Sequence, residues 1–365
     1  MNSWFNINIP VENLHPQFKW LLDIGYKSER QLVESWIEDF SIKDGLDKTI
    51  TEFQSTFRSV FWELYLNQVF KFSGLRIDSA VKSPDFLLRN DSNVFSVEAV
   101  VANFSNSGIE EKERNFRDIY DKNDIYEIIN VSIPRLLNAI EYKSKTYYSR
   151  YVKCDLVATN PFIIAVADFG QIKYGQVAFY SMLAVLYHAA YDPEDKLELN
   201  ILCDDNFGNE YKYIPFYTKE NGSKISIGLF SDNKNEHISA ILFTCTLTLG
   251  KLTSLTETHT VDRFVYLERE HTKTIRYSGS KPDETLCDGL FLFINPYAKY
   301  PLSKQILKGQ GLTVITADFE NEQEILIECE NSSPLIRRKV GMRGDEYIYI
   351  KDIENFYFYR VKSET

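Results

Sequence analysis

Apolar residues in the first seventy positions recur at helical spacing. Leu32, Val33, Trp36, Ile37 and Phe40 form one stripe and predict an amphipathic helix over Glu29–Phe40. Phe53, Phe57, Val60, Phe61, Leu64 and Phe70 form another and predict a helix from about Thr51 to Phe72, closed by Ser73-Gly74. The period then changes from helical to alternating. Gly74–Asp78 reads as a short strand or connection. Phe86–Arg89 and Val94–Val101, on either side of the turn cluster Asn90-Asp91-Ser92-Asn93, read as a hairpin. In its second strand Phe95, Val97, Ala99 and Val101 face one way, and Val94, Ser96, Glu98 and Val100 face the other.

Asn103–Asn130 is polar and charged and reads as an excursion beside whatever site Glu98 serves. Ile133–Tyr148 is predicted as a helix with Pro134 in its first turn. Phe162–Ala167 follows Asn160-Pro161 and is apolar at every position, the mark of a buried central strand. Gly175–Tyr191 is a strongly apolar helix stopped by Asp192-Pro193. Beyond Leu197 the texture turns to short strands, at Ile238–Leu249, Leu290–Ile294, Thr313–Ala317, Ile325–Cys329 and Tyr347–Ile350. Three regions follow: a helical segment over 1–50, an α/β core over 51–196, and a strand-rich region over 197–365 that extends the first sheet or forms a second domain.

Composition narrows the chemistry. At 365 residues, 44% of them apolar and 25% charged, the chain has the make-up of a globular protein with a sizeable core. It has no run approaching the ~20 apolar residues that cross a bilayer. The segment Met1-Asn2-Ser3-Trp4-Phe5-Asn6 lacks the basic and apolar parts of a secretory signal. Cys154, Cys203, Cys245, Cys287 and Cys329 are scattered, without a CxxC pair, as expected of reduced thiols in the cytoplasm. No Walker loop, GxSxG elbow or HExxH helix is present. Asp168-Phe169-Gly170 matches a kinase signature in letters only, and Asp204-Asp205 reads as a solvated turn. The net charge of −11 repels polyanions, so a nucleic-acid ligand needs a basic stripe or a divalent cation to approach.

Glu98 is the residue that asks for an explanation. A carboxylate flanked on its face by Ser96 and Val100 is costly unless a cation or a donor meets it. Asp85 stands 13 positions earlier, after Pro84 at the mouth of the hairpin. Pro84-Asp85 and Glu98-Ala99-Val100, set within a helix–strand–hairpin–helix–strand order, resemble the PD-(D/E)XK nuclease superfamily. The resemblance covers roughly residues 50 to 190. It implies an α/β fold with a central mixed sheet flanked by helices, a restriction-endonuclease-like core, here carrying a strand-rich C-terminal extension. It implies that Asp85 and Glu98 hold Mg²⁺ or Mn²⁺ with the backbone carbonyl of Ala99, and that Glu63, on the preceding helix, completes the shell.

One position departs from the pattern. The lysine of the motif falls at Val100, which carries no charge. Some branches of the superfamily move that lysine to the following helix, where this chain offers Lys143 and Lys145. By helical geometry Lys143 lies about 75° from the centre of the buried stripe and Lys145 about 125° away, so Lys143 is expected to reach the sheet and Lys145 to stay in water. The tyrosines Tyr142, Tyr147, Tyr148 and Tyr151 are available for stacking on bases or for packing. The implied function is a cytoplasmic, metal-dependent endonuclease acting on nucleic acid, DNA before RNA, in defence or restriction, with no membrane partner; a homodimer is compatible with it. In this reading Asp85, Glu98 and Lys143 are catalytic. The alternative, argued from Val100, is a nuclease-like scaffold that binds nucleic acid or protein without cleaving. A third reading places an interaction module in the strand-rich C-terminal part.

Overall fold

The computed structural model describes residues 3–78, 81–90, 93–103, 125–170, 179–191, 211–219, 222–256, 260–265, 273–277, 284–307, 309, 311–319, 324–329, 334–343, 347–352 and 355–360. The fold is α/β. The strands in chain order are β1 (Arg76–Asp78), β2 (Phe86–Arg89), β3 (Val94–Ala102), β4 (Phe162–Asp168), β5 (Ala189–Tyr191), β6 (Tyr211–Tyr213), β7 (Phe216–Thr218) and β8 (Lys224–Ser226). They continue as β9 (Ala240–Thr244), β10 (Thr260–Val265), β11 (Lys273–Tyr277), β12 (Phe291–Ile294), β13 (Thr313–Asp318), β14 (Glu324–Cys329), β15 (Leu335–Arg343), β16 (Tyr347–Asp352) and β17 (Asn355–Arg360).

Eight of these strands form one mixed sheet in the order β1-β2-β3-β4-β9-β12-β13-β14. The β1–β2–β3 meander is antiparallel, while β3, β4 and β9 run parallel. The strand-rich C-terminal region supplies four members of this sheet. It also forms a separate five-stranded antiparallel sheet in the order β11-β10-β15-β16-β17. β4 is buried at all seven positions, as its unbroken apolar run requires of a strand covered on both faces.

Helices cover the two faces of the eight-stranded sheet. On one face lie α1 (Pro16–Leu22), α2 (Lys27–Glu38), α3 (Leu46–Ser55) and α4 (Arg58–Phe72), packed against Phe86, Phe95, Val97, Ala99, Ile163 and Ala165. On the other lie α5 (Ile125–Ser149) and the apolar α7 (Tyr180–Tyr187), packed against Phe162, Ile164, Val166, Ile241 and Phe243; α6 (Asp155–Ala158) is a single turn between α5 and β4. The alternation read from β3 holds: Val97 and Ala99 belong to the first core, and Val100 packs against the second. Glu98 therefore points to the α5 face.

Three expected elements differ from the observed ones. The single helix expected from about Thr51 is two, because Phe57 adopts a φ of 54° between α3 and α4. Its buried ring is held between Phe53 and Phe61, at 5.2 and 5.0 Å, so aromatic packing fixes the corner. The helix expected at Ile133 begins at Ile125, with Pro134 inside it and not in its first turn. Proline withdraws one N–H from the ladder there, and burial of Ile133, Leu136, Leu137 and Ile140 outweighs that loss. The apolar helix expected to reach Tyr191 ends at Tyr187, where His188 takes a left-handed φ of 63° and the chain turns into β5. Residues 104–124 of the polar excursion, the start of that helix at 175–178 and Asp204-Asp205 lie outside the described residues.

α4 is the pivot of the first layer. Trp62 is fully buried and donates from its indole Nε1 to the carbonyl oxygen of Ala165 on the central strand, at 3.1 Å. Trp62→Phe keeps an aromatic ring but removes that donor. We expect it to lower unfolding free energy by about 1–3 kcal/mol, measured by urea denaturation, with secondary structure unchanged by circular dichroism.

Candidate active site

The site is built on a mismatch in strand length. The last pair of the β2–β3 ladder is Phe86 with Val97, and β3 then continues alone on that side through Ala102. The register places Asp85 opposite Glu98, one step beyond the ladder. At that step side chains take over from the backbone. The N–H of Ala99 donates to Asp85 Oδ2 at 2.8 Å, and the N–H of Asp85 donates to Glu98 Oε2 at 3.3 Å. The two acidic residues are thus interlocked through each other's strand. Because N–H and C=O of one residue leave a strand on the same side, the Ala99 carbonyl also faces the space that β2 vacates.

Two helices and a loop complete the cluster. Lys143 of α5 reaches down to Glu98, with its Nζ 2.5 Å from Oε1. Lys145 stays exposed and pairs with Glu141 one turn away at 3.6 Å. Glu63 of α4 is half-buried, because α4 is enclosed between the sheet and the other N-terminal helices. Tyr151, buried just beyond the end of α5, hydrogen-bonds through its hydroxyl to Glu98. Burial and the nearby carboxylates hold its phenol proton well above the ordinary range. Lys43, in the loop between α2 and α3, donates to the carbonyls of Val81 and Pro84 at 3.0 and 3.1 Å. The Ser83–Pro84 peptide between them is cis.

The acidity of the cluster follows from crowding. Desolvation first, then the charges of Asp85 and Glu98, raise the pKa of Glu63 from 4.5 to about 8. Desolvation and Glu98 raise Asp85 from 3.8 to about 6, against the lowering effects of the Ala99 N–H, Lys143 and Lys43. Burial lowers the Lys43 ammonium from 10.5, and Asp85, Glu63 and Glu98 pull it partly back. Carboxylates pushed upward together in this way are short of positive charge.

Among the described residues, no three His, Cys, Asp or Glu side chains are grouped so that they could hold a metal ion. Asp85 and Glu98 alone suit a different kind of metal site. Mg²⁺ keeps several waters and is commonly held by one or two carboxylates together with substrate phosphate. The donor chemistry of the pair, all oxygen with a backbone carbonyl on the same side, fits such an ion. Glu63 stands within their electrostatic field as a third acidic group.

Other singled-out residues have structural surroundings. Asp168 is buried at the end of β4, where it accepts from Arg135 at 3.0 Å and from the Gly170 N–H at 2.8 Å. Tyr147 is buried against Phe162 and His237, and Tyr148 hydrogen-bonds His237 at 2.9 Å while Tyr142 is exposed. The two residues that sequence reasoning did not place in the site are Lys43 and, as a partner of Glu98, Tyr151. A side chain that meets its partners 38 and 41 positions away leaves no local signal. No protein-family model matches the chain, and it matches no curated protein and no solved structure.

The raised acid pKa values make a stability prediction. Glu63 and Asp85 hold their protons more tightly folded than unfolded. Their contribution is complete below about pH 4 and is lost as pH rises through about 6 for Asp85 and about 8 for Glu63. Glu63→Gln removes the acidic group whose ionisation costs most. In metal-free buffer it should melt roughly 2–4 °C above wild type at pH 9, the equivalent of about 1 kcal/mol, and no higher than wild type at pH 5. Thermal melts across this pH range check both ends.

Proposed function

We propose that this chain is a metal-dependent nuclease of the PD-(D/E)XK type, hydrolysing phosphodiester bonds of nucleic acid, with DNA as the preferred substrate. One observation carries the reading: Lys143, coming from a different element than the motif lysine, meets Glu98 where Asp85 and Glu98 interlock. The helix-flanked mixed sheet, with the acidic residues at the open end of a hairpin, supports it. A divalent ion bound at Asp85 and Glu98 supplies Lewis acidity and a water of lowered pKa. The chain's own residues do the rest. Asp85 and Glu98 fix the carboxylate frame through the Ala99 and Asp85 N–H groups. Lys143 orients the attacking water and offsets the negative charge that builds on the phosphorus oxygens. The water oxygen bonds to phosphorus as the P–O bond to the leaving oxygen breaks. The proton lost by the water is matched by one gained at the leaving oxygen, and the products are a phosphate monoester and an alcohol.

Four described cysteines, Cys154, Cys245, Cys287 and Cys329, are free thiols, which suits a cytoplasmic setting. Among the described residues no helix is long and apolar enough to cross a membrane. A role in restriction or defence and a homodimeric state belong to the same proposal. The second reading is an inactive nuclease-like scaffold. It is favoured by the way protein donors already occupy the site: Lys143 on Glu98 Oε1, the Asp85 N–H on Oε2, and the Ala99 N–H on Asp85 Oδ2.

Purified protein incubated with plasmid, linear duplex, single-stranded DNA and RNA in Mg²⁺ or Mn²⁺ separates the two. Asp85→Ala/Glu98→Ala should fall to background, and Lys143→Ala should lose on the order of 10²–10³ in kcat. Saturating Mn²⁺ should raise the melting temperature of wild type, by an amount equivalent to about 2.7 kcal/mol at a hundredfold excess over Kd, and leave the double variant unmoved. Equal cleavage by wild type and double variant, or a fold indifferent to both metals, would overturn the assignment.

A further inference from the structure

Asp85 is the one acidic residue of the site that no regular element carries. It precedes β2, so the ladder does not fix it, and the preceding residues run as an irregular turn. Its anchors are few. On the β3 side they are the Ala99 N–H and Glu98 Oε2. On the far side there is Lys43, whose ammonium bonds the carbonyls at both ends of the turn, Val81 and Pro84. Lys43 belongs to neither the sheet nor the helix that bears Lys143. It comes from the α2–α3 loop and ties the N-terminal helical layer to the mouth of the hairpin.

An ammonium is an expensive way to make that tie. Burial lowers its basicity, and it offers two carbonyls nothing that a neutral donor could not give. What only a cation supplies is compensation for Asp85, Glu63 and Glu98, all of which act on it. Lys43 and Lys143 thus stand as two basic groups beside three acidic side chains. With the reading of the site as a nuclease centre as premise, we propose that Lys43 is a positioning residue for the reaction. It pins the Val81–Asp85 turn, so that the Asp85 carboxylate stays against Ala99 and beside Glu98. It is not a catalytic residue: its bonds go to backbone, and Lys143 holds the carboxylate that faces the chemistry.

The test needs a readout independent of cleavage, and Lys82 provides one. It is exposed within the pinned turn, a tryptic site whose rate of cutting reports local opening. In Lys43→Met, cutting after Lys82 should accelerate roughly tenfold, while Lys43→Arg, whose guanidinium can serve both carbonyls, should stay near the wild-type rate. On DNA in Mn²⁺ the methionine variant should lose roughly 10²-fold in kcat with KM little changed, the pattern of a misplaced group and not of lost substrate binding. Should Lys43→Met fail to fold, Lys43→Ala, which also removes the donor, gives the same two readouts. Cutting after Lys82 at the wild-type rate in the neutral variants overturns the proposal, and so does an unchanged kcat. If wild type itself neither cleaves nucleic acid nor responds to Mn²⁺, the nuclease reading fails, and the tryptic rate alone still decides whether Lys43 pins the turn.

Discussion

The structure turns on one unmet hydrogen-bond demand. β3 outruns β2, so the N–H of Ala99 has no strand to bond, and a buried donor left alone costs about 1–3 kcal/mol. Asp85 meets it with a side-chain oxygen and, in doing so, is drawn beside Glu98. The same geometry turns a local folding problem into a pair of neighbouring carboxylates. A longer β2 would satisfy Ala99 by backbone pairing and leave Asp85 no reason to fold inward. The site therefore depends on where a four-residue strand begins.

Electrostatics then decides what can gather around the pair. Glu98 tolerates burial because Lys143, the Asp85 N–H and Tyr151 all donate to it. Burial first, then the charges of Asp85 and Glu98, hold the Glu63 proton up to about pH 8 against the pull of Lys143. Near neutrality a protonated Glu63 leaves two carboxylates against Lys43 and Lys143, a balanced cluster. This balance makes the metal-free fold self-consistent. On the proposed nuclease reading, a divalent ion would bring the positive charge that a chain of net charge −11 lacks.

Much of this was legible in the sequence, for reasons of period. Alternation along 94–101 assigned Glu98 to the face opposite Val97, and the eight-stranded mixed sheet keeps that assignment. The angular position of Lys143 on its helix separated it from Lys145, and the first touches Glu98 while the second sits in water. What period could not show was geometry set by packing across the chain. The corner at Phe57 exists because its ring packs between Phe53 and Phe61, and nothing in the local composition (no Gly, no Pro) announces it. Pro134 looked like a helix start because that is where proline costs least. The added turns are stabilised by apolar contacts made on the sheet. Lys43 was invisible for the same reason: it reads as one more loop lysine until the hairpin mouth is folded against it.

The short Lys143–Glu98 contact bears on how the site could work. An ammonium held against the carboxylate at 2.5 Å spends one of its three N–H donors on that bond and keeps two for other partners. On the proposed nuclease reading, a phosphate oxygen of the substrate would be a further partner for it. Lys143 lies on the flank of α5, close to the surface, and a lysine stem can swing its head group by several ångströms without moving the helix. Tyr151 also donates to Glu98, so the carboxylate has a second side-chain partner besides the ammonium. The arrangement is thus self-satisfied without a ligand, and its one long side chain is the movable part.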